Sequence, residues 1–195
     1  MEKSKLPISS MVGVPHSHLH CRYSNFDWSD GKKLLQDHLE KFAQGKRKGF
    51  VFIGNPGVGK SHLMVSTYAD IQTKGFSPGS DVIFFCWEDL LNYLRDSMSL
   101  KIRADGLIAK ICATKYLIID DIKPDAQGSS QFWKQMLEGI IETTYNNEVK
   151  LILSTNADDK EELVDRWCLS DYHVSRLSTL TDVIVLKGRD RRESV

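Results

Sequence analysis

Eight consecutive residues, Gly54-Asn55-Pro56-Gly57-Val58-Gly59-Lys60-Ser61, constrain this chain more than any other feature. They satisfy G-x-x-x-x-G-K-[ST], a pattern whose glycines let the backbone curl until its N–H groups point at phosphate oxygens. The surroundings agree. Phe50-Val51-Phe52-Ile53 is an apolar run that reads as a buried strand, and Leu63, Met64, Tyr68 and Ile71 follow at helical spacing. A loop that leads from a strand into a helix N-terminus also offers partial positive charge to an anion. Lys60 is placed to reach the β- and γ-phosphates of a nucleotide, and Ser61 to hold Mg²⁺.

Further apolar runs alternate with helical patterns. Asp81 to Cys86, Tyr116 to Asp121, Leu151 to Asn156 and Val183 to Leu186 read as strands two to five. Helices are expected with Leu34, Leu35, Leu39 and Phe42 on one stripe after a Ser29 or Asp30 cap, then over Glu88 to Met98, Asp105 to Ala113, Ser130 to Asn146, Asp159 to Trp167 and Ser170 to Ser178. The helix after the phosphate loop should stop near Lys74-Gly75, before a loop at Ser77 to Ser80. Such alternation predicts an α/β fold: a five-stranded, mainly parallel sheet with helices on both faces. Residues 1–15 read as an irregular segment broken by Pro7, Gly13 and Pro15, and residues 16–195 as one domain.

Two strand ends carry chemistry. The third closes in Asp120-Asp121, where one carboxylate, Asp120, can orient Mg²⁺ and the next, Asp121, can polarise an attacking water. The fourth closes in Asn156, whose amide can sit between the acidic strand and the γ-phosphate, since ligands of open parallel sheets gather at strand C-termini. Arg176, on a late helix, reads either as a surface salt bridge or as a finger for a neighbouring subunit's γ-phosphate.

Charge sets no global preference for a partner. Lys plus Arg and Asp plus Glu are both 26, so no global field draws the chain to nucleic acid or membrane, although a local patch can. No apolar run is long enough to cross a membrane. The widely spaced Cys21, Cys86, Cys112 and Cys168 read as reduced thiols in the cytoplasm. His16, His18, His20 and Cys21 would share a metal-chelating face if extended, and otherwise form a polar strand or loop.

From Gly13 to Arg192 these pieces, in this order, resemble the AAA+ ATPases of the DnaC/IstB type, bacterial helicase loaders and transposition helpers. Gly13-Val14-Pro15 with Arg22-Tyr23-Ser24-Asn25-Phe26 is similar to the opening segment of that family. Gly59-Lys60-Ser61-His62-Leu63 matches its phosphate loop, histidine included, and Ile119-Asp120-Asp121-Ile122 its Walker B strand. Ser154-Thr155-Asn156 stands where sensor 1 is usually Thr-Ser-Asn, Ser175-Arg176-Leu177 resembles the arginine-finger motif, and Gly188-Arg189-Asp190-Arg191-Arg192 the closing run.

The resemblance implies a AAA+ core that binds ATP and ADP, hydrolyses ATP with Mg²⁺, and self-assembles through nucleotide at subunit interfaces. Arg176 would then act in trans. It implies a task in DNA replication, on a replicative helicase or other replication protein and on single-stranded DNA, with Lys101 and Arg103 as candidate backbone contacts. Two departures go with it. About a dozen residues precede the core, where loaders of this type usually carry a helicase-gripping domain. The chain stops just after Arg192, so no lid domain is expected, and Arg191 or Arg192 would stand in for a lid arginine. Rival readings are a transposition helper on duplex DNA, a nucleotide-dependent switch with little turnover, and a small-molecule P-loop kinase, which Ser154-Thr155-Asn156 and Ser175-Arg176-Leu177 disfavour.

Overall fold

The structure is a computed structural model that describes residues 13–28, 33–74, 82–99, 105–123 and 130–191. Its strands are β1 (Gly49–Ile53), β2 (Val82–Cys86), β3 (Tyr116–Asp120), β4 (Lys150–Ser154) and β5 (Thr181–Val185). They form one sheet in the order β2-β3-β4-β1-β5, and every pairing is parallel. The helices are α1 (Lys33–Ala43), α2 (Lys60–Lys74), α3 (Trp87–Ser99), α4 (Asp105–Ala113), α5 (Ser130–Asn146), α6 (Lys160–Trp167) and α7 (Asp171–Leu180).

Strand alternation builds two cores. Val51, Ile53, Leu117, Ile119, Leu151 and Leu153 face one way, against Leu90 and Leu94 of α3, Ile111 of α4, Leu137 and Ile141 of α5, Trp167 of α6 and Leu177 of α7. The intervening Phe50, Phe52, Ile118 and Ile152 face the other way, against Leu39 and Phe42 of α1 and Leu63, Met64 and Ile71 of α2. Burial on both faces is why the inner strands read as unbroken apolar runs instead of alternating ones.

Several expectations change. The fifth strand is Thr181–Val185, not Val183 to Leu186. Helix α7 runs directly into it, the Thr181 hydroxyl donates to the Leu177 carbonyl, and Gly49 pairs with Thr181. The fourth strand is Lys150–Ser154, so Asn156 follows it instead of closing it, and helix α3 begins at Trp87, one residue before the expected Glu88. His16–His18 is a turn of 3-10 helix, so the alternating histidines do not share an extended face; no cluster of three or more His, Cys, Asp or Glu placed to hold a metal ion occurs among the described residues. The Ser29 or Asp30 cap, Gly75, the Ser77 to Ser80 loop, Lys101, Arg103 and Arg192 lie outside the described residues.

Candidate nucleotide site

Because the strands are parallel, Ile53, Cys86, Asp120 and Ser154 all end at one edge of the sheet. The phosphate loop connects β1 to α2 at that edge. Gly54 has φ 138° and Gly59 φ 101°, both outside the range of ordinary side-chain-bearing residues. A Cβ at Gly54 would also collide with the Leu186 carbonyl oxygen. Gly54→Ala is expected to lower unfolding stability by about 1–3 kcal/mol; a melting temperature equal to wild type would show that this approach is not needed.

Lys60 is the first residue of α2 and is 8% exposed. Its Nζ donates to the carbonyl oxygens of Gly54 (2.5 Å) and Asn55 (2.8 Å) and to Asn156 Oδ1 (2.8 Å). The asparagine after β4 and the lysine of the loop are thus joined directly. Asp120, buried at the end of β3, accepts from Ser154 Oγ at 2.5 Å. The same Ser154 Oγ accepts the Asp121 N–H at 2.8 Å. Asp121 is left-handed (φ 59°) and exposed, with Lys123 Nζ 3.4 Å from its carboxylate and 3.7 Å from that of Glu88.

Pro56, Gly57, Gly59, Lys60, Ser61 and His62 line a cavity of about 670 Å³ together with Asp120, Asp121 and Asn156. Gly54, Asn55 and Val58 support it differently: Gly54 by conformation, Asn55 through its carbonyl on Lys60, and Val58 by burial beneath the loop. His62 Nε2 lies 3.1 Å from the Arg22 carbonyl and 3.0 Å from Asn25 Oδ1, and its ring meets Phe26 edge-on. Burial, the largest effect, holds its pKa below that of an ordinary imidazole. Cys86 stands beside Asp120; burial first, then that carboxylate, pushes its thiol up to about 11, which keeps it protonated and unreactive at neutral pH.

Two wall residues, Ser17 and Glu88, carried no sequence signal, whereas His18 and His20 were read only as metal-ligand candidates and Arg191 as a stand-in for a lid arginine. Ser17, His18, His20 and Glu88 face the cavity from the opening segment and the start of α3. Arg191 faces it from the C-terminal segment. Its N–H donates to the Gly57 carbonyl and its guanidinium covers the Phe26 ring at 4.9 Å. Arg176 is not at this cavity. It pairs with Glu142 of α5 and lies over the rings of Tyr172 (4.0 Å) and Tyr145 (4.7 Å).

A buried ammonium surrounded by oxygens, glycine backbone at the N-terminus of a long helix, and two carboxylates across the cavity suit a nucleotide triphosphate and its divalent ion. With the strand order, these features define the class: a P-loop α/β core of AAA+ architecture. In fold and motif order the chain is similar to proteins of the DnaC type, the resemblance that its motifs suggested. No protein-family model matches the chain. Over 174 residues it is 21% identical to the replicative helicase loader DnaC of Buchnera aphidicola subsp. Acyrthosiphon pisum, across 82% of this chain and 68% of that one. A crystal structure of the DnaC helicase loader superposes with TM-score 0.74 at 22% identity, across 88% of this chain and 99% of that chain. The replication initiator DnaA bound to AMPPCP and single-stranded DNA superposes with TM-score 0.67 at 18% identity, across 87% of this chain and 50% of that chain.

Proposed function

We propose that the chain binds and hydrolyses ATP with Mg²⁺ and acts in DNA replication as a helicase-loader or primosome-type factor. The observation that carries this reading is the convergence of Lys60, Asn156, Asp120 and Asp121 on one cavity at the strand ends. Similarity to proteins named as helicase loaders supports the pathway, and the likeness to an initiator seen with single-stranded DNA supports that ligand. The proposed partners are a replicative helicase or other replication protein, single-stranded DNA, and further copies of this chain. The proposed core spans residues 16–195, in the cytoplasm; no helix among the described residues is long and apolar enough to cross a membrane.

In this reading Lys60 exchanges its carbonyl partners for phosphate oxygens while Asn156 holds its position. Backbone N–H groups from Gly54 to Ser61 cradle the phosphates, and His62 braces the loop against the opening segment. Ser61 and Asp120 hold Mg²⁺, which when bound neutralises charge on the β- and γ-phosphates. Asp121 accepts the proton of the attacking water, and Arg176 of an adjoining copy faces the γ-phosphate. Asp121→Asn is expected to retain ATP but lose about a hundredfold in turnover, while Asp120→Asn also weakens Mg²⁺ dependence. Turnover of Asp121→Asn within twofold of wild type would sink the assignment.

A switch with little turnover is the second reading, favoured by Lys123 beside Asp121 and by the engagement of Arg176 with Glu142. A single-turnover measurement on the assembled protein separates the two.

A further inference from the structure

Ser154 has no place in the scheme so far, yet it joins the two acids. It is fully buried at the end of β4. Its hydroxyl donates to Asp120 Oδ1 at 2.5 Å and accepts the Asp121 N–H at 2.8 Å, while its carbonyl accepts the Ile122 N–H at 2.8 Å. The three bonds grip three consecutive residues of the strand exit. Asp121 sits there at φ 59°, in the left-handed region that aspartate tolerates better than most residues with a Cβ, held by the bonds from its own N–H and from the Ile122 N–H to Ser154.

We infer that Ser154 is the positioning residue of this site. One hydroxyl fixes the rotamer of the metal-binding carboxylate, and the same oxygen holds the backbone turn that aims the neighbouring acid into the cavity. A hydroxyl suits both tasks because it donates once and still accepts. Alanine would leave a buried carboxylate oxygen and a backbone N–H without this partner. Threonine would keep the group on a side chain suited to a strand. The inference rests on the proposed nucleotide reading and concerns how Asp120 meets its ion.

The test is the Mg²⁺ concentration at which a fluorescent ATP analogue reaches half of its Mg²⁺-dependent tightening, a readout that needs no hydrolysis. Ser154→Ala is expected to raise this midpoint about fivefold to tenfold, with affinity measured in EDTA unchanged. Ser154→Thr should restore the midpoint to within about twofold. In an Asp120→Asn background Ser154→Ala should add nothing further, because the two act through one carboxylate. Ser154→Cys, close in size but a weak donor, covers the case in which alanine unfolds the chain; it is expected to raise the midpoint too. A wild-type midpoint in a folded Ser154→Ala or Ser154→Cys protein, or additivity with Asp120→Asn, overturns the inference while the nucleotide reading stands. Absence of any Mg²⁺-dependent binding in the wild type overturns both.

Discussion

Lys60→Ala is expected to bind ATP at least about tenfold more weakly than wild type, and plausible losses reach about a hundredfold. The charge-assisted contact it removes is worth about 1.5–3 kcal/mol, and about 1.4 kcal/mol is a factor of ten in affinity. A second effect adds to the first. Lys60 Nζ holds the Gly54 and Asn55 carbonyls and the Asn156 amide oxygen at once. Without it, three oxygens face one another across the loop, and the arrangement that greets the phosphates loosens before any ligand arrives. Calorimetry on a variant shown to be folded by its melting curve measures both losses together. Lys60→Ala with wild-type ATP affinity would make the phosphate-loop reading wrong, whatever the motif says.

The second large effect belongs to Arg176. An arginine that stabilises charge at a transferring phosphate is worth on the order of 10³-fold in rate. Arg176→Ala is therefore expected to bind ATP normally and to fail in turnover once assembled. The structure sharpens this expectation, because Arg176 is held within its own subunit by Glu142, Tyr145 and Tyr172. A finger would have to leave that setting, whereas a staple between α5 and α7 would not. Mixing distinguishes them. Arg176→Ala brings an intact phosphate loop and Lys60→Ala an intact arginine, so one competent interface can form between them and part of the activity should return. A staple predicts a lowered melting temperature for Arg176→Ala and a mixture as inactive as its components.

What was legible in the sequence was whatever a short segment encodes by itself. A strand buried on both faces must be apolar throughout, so β1, β3 and β4 stood out, and their polar ends marked the edge where Lys60, Asp120 and Asn156 meet. What was hidden depends on residues far apart in the chain. Nothing local to the C-terminal run announces that the Leu186 N–H bonds to the Ile53 carbonyl, or that the Arg191 N–H bonds to Gly57. That docking also moved the end of β5, since pairing with β1, and not local apolarity, decides where the strand stops. Ser154 entered the sequence reading only as the first residue of the Ser154-Thr155-Asn156 motif; the register of β4 beside β3 shows that its hydroxyl falls between two acids. The alternating histidines suggested an extended chelating face, but hydrogen bonds from His18 N–H to Pro15 and from Cys21 N–H to His18 coil that stretch instead.

The cavity borrows its walls from both ends of the described chain: Ser17 and His18 on one side, Arg191 on the other, with the phosphate loop tied to the latter through Gly57. During synthesis the loop, its lysine and the opening segment leave the ribosome long before residue 191 is made. Contacts with so large a sequence separation form late, after the loop-closure cost has been met. A ribosome-bound chain halted before the last strand therefore exposes the nucleotide motif without the wall that completes it.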